Sequence, residues 1–208
     1  MSNTSKPKLS IITPEFQAFG VNLAEARKPE GFANAKAKFG LSIPLSRADA
    51  APIMQQLRDL AKQSFPNMDE QGRVTRPNGD VVTVRLPVTT GEEINARRTA
   101  AGKKTYDYLA EKIVFKASAD EGRQPGICDA DGRPVAPGKI HGGDTLRAAL
   151  GFLGVDVPGS FIGIACYLNG VFLVKSAEGR DVAGMFQEFI SKQNDVNPFA
   201  GVDPFGGL

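Results

Sequence analysis

Between Arg97 and Lys116 the chain interleaves cations with aromatic rings: Arg97, Arg98, Lys103, Lys104, Lys112 and Lys116 are set among Tyr106, Tyr108 and Phe115. Single-stranded nucleic acid offers phosphates together with exposed base faces. A binder therefore needs cations that follow the backbone and flat rings on which bases stack. Each stacked base contributes on the order of 1–3 kcal/mol, largely regardless of its identity. A basic loop leading into a strand with outward tyrosines suits that task. The same residues also fit a plainer arrangement, with Tyr106 and Phe115 in a core and the lysines on a solvated face. A second candidate patch is Phe32, Lys36 and Lys38, at the entry to a strand ending in Leu45. Phe39 shares parity with Leu41 and Ile43 and is assigned to the core.

Other chemistry finds little support. His141 is the sole histidine, so a Ser-His-Asp or Cys-His arrangement would have to be built on it. It sits in Ile140-His-Gly-Gly143, which reads as a strand entry with a turn histidine. Gly142-Gly143 followed by Asp144 and Thr145 lacks the lysine and spacing of a phosphate-binding loop. Glu92 and Glu93 fall in a polar segment and are most simply solvated. Cys128 and Cys166 match no zinc pattern, and two reduced thiols fit a cytoplasmic setting. The expectation is a protein that is not an enzyme and uses no cofactor or metal.

The elements that must position these residues are mostly strands. Leu9–Ile12 starts an apolar run that stops at Pro14, and a first strand is expected to include Phe16–Gly20. Residues 27–35 read as a loop. From Lys36 to Leu45 the pattern alternates, with Phe39, Leu41, Ile43 and Leu45 on one side, giving a half-buried strand ended by Pro44 and Ser46. Asp49 is placed as the cap of a helix in which Pro52 occupies the first turn and Ile53, Leu57, Leu60 and Ala61 share a face, ending at Pro66. Pro77-Asn78-Gly79-Asp80 predicts a hairpin turn between Arg73–Thr75 and Val81–Leu86. Glu92–Lys104 fits a short helix or a loop, and Tyr106–Ala119 reads as extended. Asp129–Gly132 predicts another turn. Asn169-Gly170 is either a hairpin turn or a bulge between Phe161–Leu168 and Val171–Val174. A short helix is expected at Val182–Lys192, and Gln193–Leu208 is too poor in apolar residues to pack.

Totals agree with this outline. The chain has 208 residues, with 23 glycines and 14 prolines, consistent with one turn-rich domain. No stretch is apolar enough for a membrane span, and Met1–Lys8 lacks the apolar run of a signal peptide. The net charge of +2 is unevenly spread: residues 181–208 hold four acids and one base, leaving 24 bases against 19 acids in residues 1–180. A mildly basic body with a slightly acidic tail is compatible with polyanion binding.

The order of several segments resembles the phage-encoded single-stranded-DNA-binding proteins with an OB fold. Lys38-Phe-Gly-Leu-Ser-Ile-Pro-Leu-Ser46 followed by a helix over Ala50–Phe65 is similar to that family's early strand and helix. Ile113–Ser118 resembles a later barrel strand. The more specific part is the succession Asp129-Ala-Asp-Gly-Arg-Pro-Val135, Ile140-His-Gly-Gly-Asp-Thr-Leu-Arg147 and Gly163-Ile-Ala-Cys-Tyr-Leu-Asn-Gly-Val171. The resemblance implies sequence-independent binding of single-stranded DNA in phage replication, recombination or repair, in the host cytoplasm. It also implies a C-terminal tail that contacts replication or recombination proteins. Here Phe199, Asp203, Pro204 and Phe205 match in part, since the tail has few acids and ends in Gly206-Gly207-Leu208.

The combined reading is a mainly β protein. It has an OB-type β-barrel over residues 9–192, one well-defined helix after an early strand, a flexible N-terminus over 1–8 and a flexible tail over 193–208. Arg97, Arg98, Lys103, Lys104, Lys112, Lys116 and Arg147, with Phe32, Lys36 and Lys38, are assigned to a DNA groove, and Tyr106 and Tyr108 to base stacking. The rival function is a barrel that binds other proteins as an adaptor or structural component; a carboxylate-metal nuclease is a distant third.

Overall fold

The structure, a computed structural model, describes residues 7–28, 35–157 and 161–177. In chain order the elements are β1 (Lys8–Ile12), β2 (Phe16–Gln17), β3 (Phe19–Arg27), β4 (Lys38–Ser46), α1 (Arg47–Ser64), β5 (Arg73–Thr75), β6 (Val81–Thr83), β7 (Val88–Thr90), α2 (Gly91–Ala100), β8 (Lys112–Asp120), β9 (Gly126–Asp129), β10 (Thr145–Val157) and β11 (Phe161–Lys175). Nine strands form one mixed sheet in the order β1-β10-β11-β8-β4-β3, with β2 on β10, β7 on β8 and β9 on β11. β5 and β6 make a separate hairpin around the Pro77–Asp80 turn, as their turn residues predict.

The sheet curls but is not the closed barrel expected from the sequence. Its path runs open from β1 to β3, and β2 meets β10 through two pairs, Gln17↔Thr145 and Phe16↔Leu146. β10 and β11 pair mainly with each other. The second edge of β11 is shared among β9, the Arg85 backbone and β8, so β8 and β11 meet in parallel at Tyr167↔Ser118 alone. A long strand whose edge is divided in this way cannot supply one continuous closing ladder.

The alternation in β4 holds: Phe39, Leu41, Ile43 and Leu45 are buried. Pro44 continues the strand rather than ending it. The β3–β4 pairing reaches only to Ser42, so the side of Pro44 away from Val114 needs no ladder donor. The helix cap also differs from expectation. Ser46, not Asp49, caps α1, its Oγ accepting the Asp49 N–H at 3.0 Å and donating to Asp49 Oδ2 at 2.6 Å. Pro52 consequently lies in the second turn, on the exposed side of α1. The apolar face of α1 is the predicted one, with Ile53, Leu57, Leu60 and Ala61 buried against the sheet.

Phe115, Phe152, Leu146, Leu150, Ile162 and Ile164 complete the core. Burying each such side chain stabilises the fold by about 1.5–3 kcal/mol relative to exposure. Asn169-Gly170 is a bulge inside β11: Ala149 pairs with Gly170 and Leu150 with Leu168, so Asn169 is the extra residue. The expected helix at Val182–Lys192 and the whole tail lie outside the described residues, as does Phe32.

Candidate nucleic-acid interface

A second helix, beyond the one the sequence made evident, carries the aromatic segment. Thr90 caps α2, its Oγ1 accepting the Glu93 N–H at 3.1 Å. Gly102, at φ +65°, ends the helix in a left-handed turn. There its N–H bonds the Thr99 carbonyl and the Lys103 N–H bonds the Arg98 carbonyl. The chain then returns along α2 into a short 3₁₀ turn, Asp107–Leu109, in place of the expected strand; Tyr106 immediately precedes the turn and Tyr108 lies within it.

That turn is fastened at both ends. Asn95 bonds the N–H and the carbonyl of Tyr106, at 2.9 and 3.0 Å. Glu111, the only described non-glycine residue at positive φ (+62°), donates its N–H to Glu92 Oε1, which also accepts from Arg47 at 2.8 Å. Leu109 is fully buried, and its carbonyl lies against the Cα of Gly91, where a Cβ would collide with it.

Three rings meet on this support. Tyr106 and Tyr108 both pack edge-on against Phe19 of β3, with centroids 5.2 and 6.2 Å away, and lie 5.8 Å from each other. The Arg98 guanidinium covers the Tyr106 ring at 4.1 Å while Nε donates to the Lys104 carbonyl at 2.6 Å. Tyr108 stays 48% exposed, so the cluster has an open face. Burial, then the neighbouring Tyr106, push the Tyr108 hydroxyl above its ordinary pKa, partly offset by Arg98.

Beside the rings, Tyr108, Lys112, Glu15, Ser46, Asp49 and Thr145 line a groove of about 500 Å³. The Glu15 carboxylate is taken by Arg147 at 2.7 Å, and an Asp49 oxygen by the Ser46 hydroxyl. In register across the outer sheet face, Phe19 pairs with Ser42 and Ser42 with Lys116, so that the exposed Lys116 ammonium stands two strands from the ring cluster. Rings, guanidinium and ammonium groups on one surface suit a flexible polyanion with exposed bases.

No protein-family model matches the sequence, and no curated protein matches it. Solved structures do match. The single-stranded DNA-binding protein from bacteriophage Enc34, in complex with ssDNA, aligns with a TM-score of 0.60 at 12% identity, over 81% of this chain and 88% of that one. The gp2.5 single-stranded DNA-binding protein encoded by bacteriophage T7 aligns with a TM-score of 0.56 at 11% identity, over 97% and 99% of the two chains. This chain has the fold of the phage single-stranded-DNA-binding proteins. At such identities the likeness concerns the fold.

On that phage-type fold, Arg98, Tyr106, Tyr108 and Lys112 come together, Lys116 stands two strands from the rings on the same face, and Lys103 and Lys104 are exposed in the adjoining loop. Arg97 points elsewhere on α2 and pairs with Glu93 at 3.9 Å. Lys38 shares the outer face with Lys116 but pairs with Asp120 at 3.5 Å. It stands four positions before Ser42 in β4, about 13 Å along the strand. Lys36 is exposed just before β4. Arg147 reaches the groove only through its ion pair with Glu15. Phe115, the third ring of the sequence pattern, is fully buried in the core.

Sequence reasoning missed Phe19, Asn95 and Glu92. Parity could have found the first, since Phe16 and Ala18 point inward and Phe19 therefore outward. Asn95 and Glu92 had no signal, because their partners are fixed only when the chain folds back along α2. Among the described residues no group of three or more His, Cys, Asp or Glu side chains is placed to hold a metal. No described helix is long and apolar enough to cross a membrane.

Proposed function

We propose that this protein binds single-stranded DNA without strong sequence preference, using an OB-like, incompletely closed sheet. The path starts on the Phe19–Tyr106–Tyr108 cluster and follows Lys112 and Lys116, with Lys103 and Lys104 reaching from the loop. The observation that carries this reading is the ring cluster itself: an open aromatic surface, braced by α2 and covered on one ring by Arg98. Rings and cations accept any base and any phosphate, which accounts for the lack of sequence preference. The Enc34 protein, whose structure holds ssDNA, supports the reading through its shared fold.

A role in phage replication, recombination or repair follows from the same reading, as does recruitment of partner proteins by Phe199, Asp203, Pro204 and Phe205. Deleting Gln193–Leu208 should weaken partner recruitment and leave DNA affinity intact or higher.

The deciding experiment titrates the protein into a labelled oligo-dT of about thirty nucleotides at two salt concentrations, with duplex DNA as competitor. Neutralising about four phosphates gives a log–log salt slope of roughly −3 on single strands. Tight, salt-sensitive binding that duplex does not displace supports the proposal. No binding at low salt overturns it and favours a protein-binding role for the sheet.

A further inference from the structure

The outer sheet face does not end at Lys116. One row along, pairing carries a continuous line of residues across six strands: Asn22, Gly40, Ser118, Tyr167, Gly151 and Ser10. Residues paired directly share a face. Tyr167 is the one ring in this row, and it is 39% exposed while its neighbours Cys166 and Leu168 are buried. On one side the Asn169 amide lies over Gly151; on the other, Ser118 and then Gly40 are small, so a flat group can lie against the ring from that side. Beside it Ser118, Arg123, Gln124 and Asn169 line a hollow of about 190 Å³. Asp120 also lines it, but its carboxylate is engaged by Lys38. Arg123 is exposed and makes no ion pair among the described residues, unlike Lys38, Arg97 and Arg147.

We propose that Tyr167 and Arg123 form a second base-and-phosphate station, continuing the single-stranded-DNA path from the Tyr106–Tyr108 platform past Lys116. The inference rests on the function proposed above. The chemistry is the same as at the first platform, a ring for a base face and a guanidinium for a phosphate. The occupant follows from continuity: the two stations lie on one sheet face, with Lys116 between them in adjacent register rows.

The chain contains no tryptophan, so Tyr167→Trp provides a unique fluorophore. Its emission should be quenched on adding a thirty-nucleotide oligo-dT, with affinity close to wild type. Tyr167→Ala should weaken binding about 5- to 150-fold, the equivalent of one lost stacked base, and Tyr167→Phe should restore it. Arg123→Ala, at an exposed turn, should reduce the magnitude of the salt slope by about 0.7 and serves where Tyr167 variants fold poorly. Wild-type binding together with unquenched Tyr167→Trp and unchanged Tyr167→Ala and Arg123→Ala overturns this station while leaving the first platform standing. Failure of the wild-type protein to bind the oligonucleotide overturns both.

Discussion

Asn95 holds Tyr106 by its backbone, Oδ1 accepting the tyrosine N–H at 2.9 Å and Nδ2 donating to its carbonyl at 3.0 Å. The pair makes the tyrosine turn an extension of α2 rather than a free loop. Asn95→Ala leaves the half-buried Tyr106 N–H without a partner and its carbonyl with the Leu109 N–H alone, and should cost about 1–3 kcal/mol. Denaturant melts should show that loss, and oligo-dT affinity should fall with it. Asn95→Asp should not rescue, because its carboxylate would face the Tyr106 carbonyl. Wild-type affinity in Asn95→Ala would show that the turn holds its place without this clamp.

Tyr106→Ala and Tyr108→Ala should each weaken single-strand binding by about 1–3 kcal/mol, and to a similar extent on oligo-dT, oligo-dC and oligo-dA. Fluorescence anisotropy at fixed salt measures it. Tyr106→Ala should be the more damaging of the two, since it also removes the surface on which Arg98 rests. An undiminished affinity in both variants would remove the rings from the DNA path.

Lys116 is exposed and forms no ion pair among the described residues. Lys116→Ala should weaken binding uniformly across sequences and reduce the magnitude of the salt slope by about 0.7. Arg73→Ala is the control: Arg73 sits on the β5–β6 hairpin and is paired with Asp69 at 2.9 Å. Its slope should equal that of the wild type. Equal slopes in all three proteins would exclude Lys116 from phosphate contact.

Glu92 links pH to the tyrosine turn. Its own backbone N–H, then the Arg47 guanidinium, with a smaller contribution from the Glu111 N–H, hold its carboxyl below the ordinary value of 4.5. A depressed pKa means that these contacts contribute fully above about 4.5 and are lost as pH falls through the lower folded value. Near-UV circular dichroism of the tyrosines should therefore change on acidification from pH 5 to pH 3. Glu92→Gln should already show part of that change at pH 7 and a smaller acid step; an identical titration in both proteins would detach Glu92 from the turn.

Burial pushes the Cys166 thiol up to about 12, whereas Cys128 is only half-buried. The thiolate is the reactive form, so native protein at pH 8 should expose one thiol to a disulfide reagent, with the second reacting only after denaturation. Cys128→Ser should abolish the fast reaction. Two fast equivalents in the native protein would mean that β11 opens around Cys166.

Much of the scaffold was legible because its signals are local. The alternation of Phe39, Leu41, Ile43 and Leu45 shows which side of β4 is buried, and the Pro77–Asp80 turn forms from its own residues. The apolar face of α1 follows from helical spacing, although its cap was misplaced: Ser46 and Asp49 are both good capping residues, and only the observed chain path shows which one starts the helix. The interleaved cations single out Tyr106 and Tyr108 as candidate stacking residues, yet the turn that carries them depends on Asn95 and Glu92, which bind backbone groups distant in sequence. A propensity pattern carries no record of such long-range partners.

The sequence by itself determined a mainly β chain with a half-buried early strand, a capped amphipathic helix, and cations interleaved with rings. Those properties arise from side-chain periodicity and turn chemistry, which act over a few residues. The tertiary structure alone decided that the sheet stays open, that Asn169 is a bulge and not a turn, and that Phe115 is buried. It also decided that Phe19 meets Tyr106 and that Tyr167 shares a face with Lys116. These outcomes depend on which strand edges pair and in what register, and a shift of one residue would turn every side chain of a strand to the opposite face.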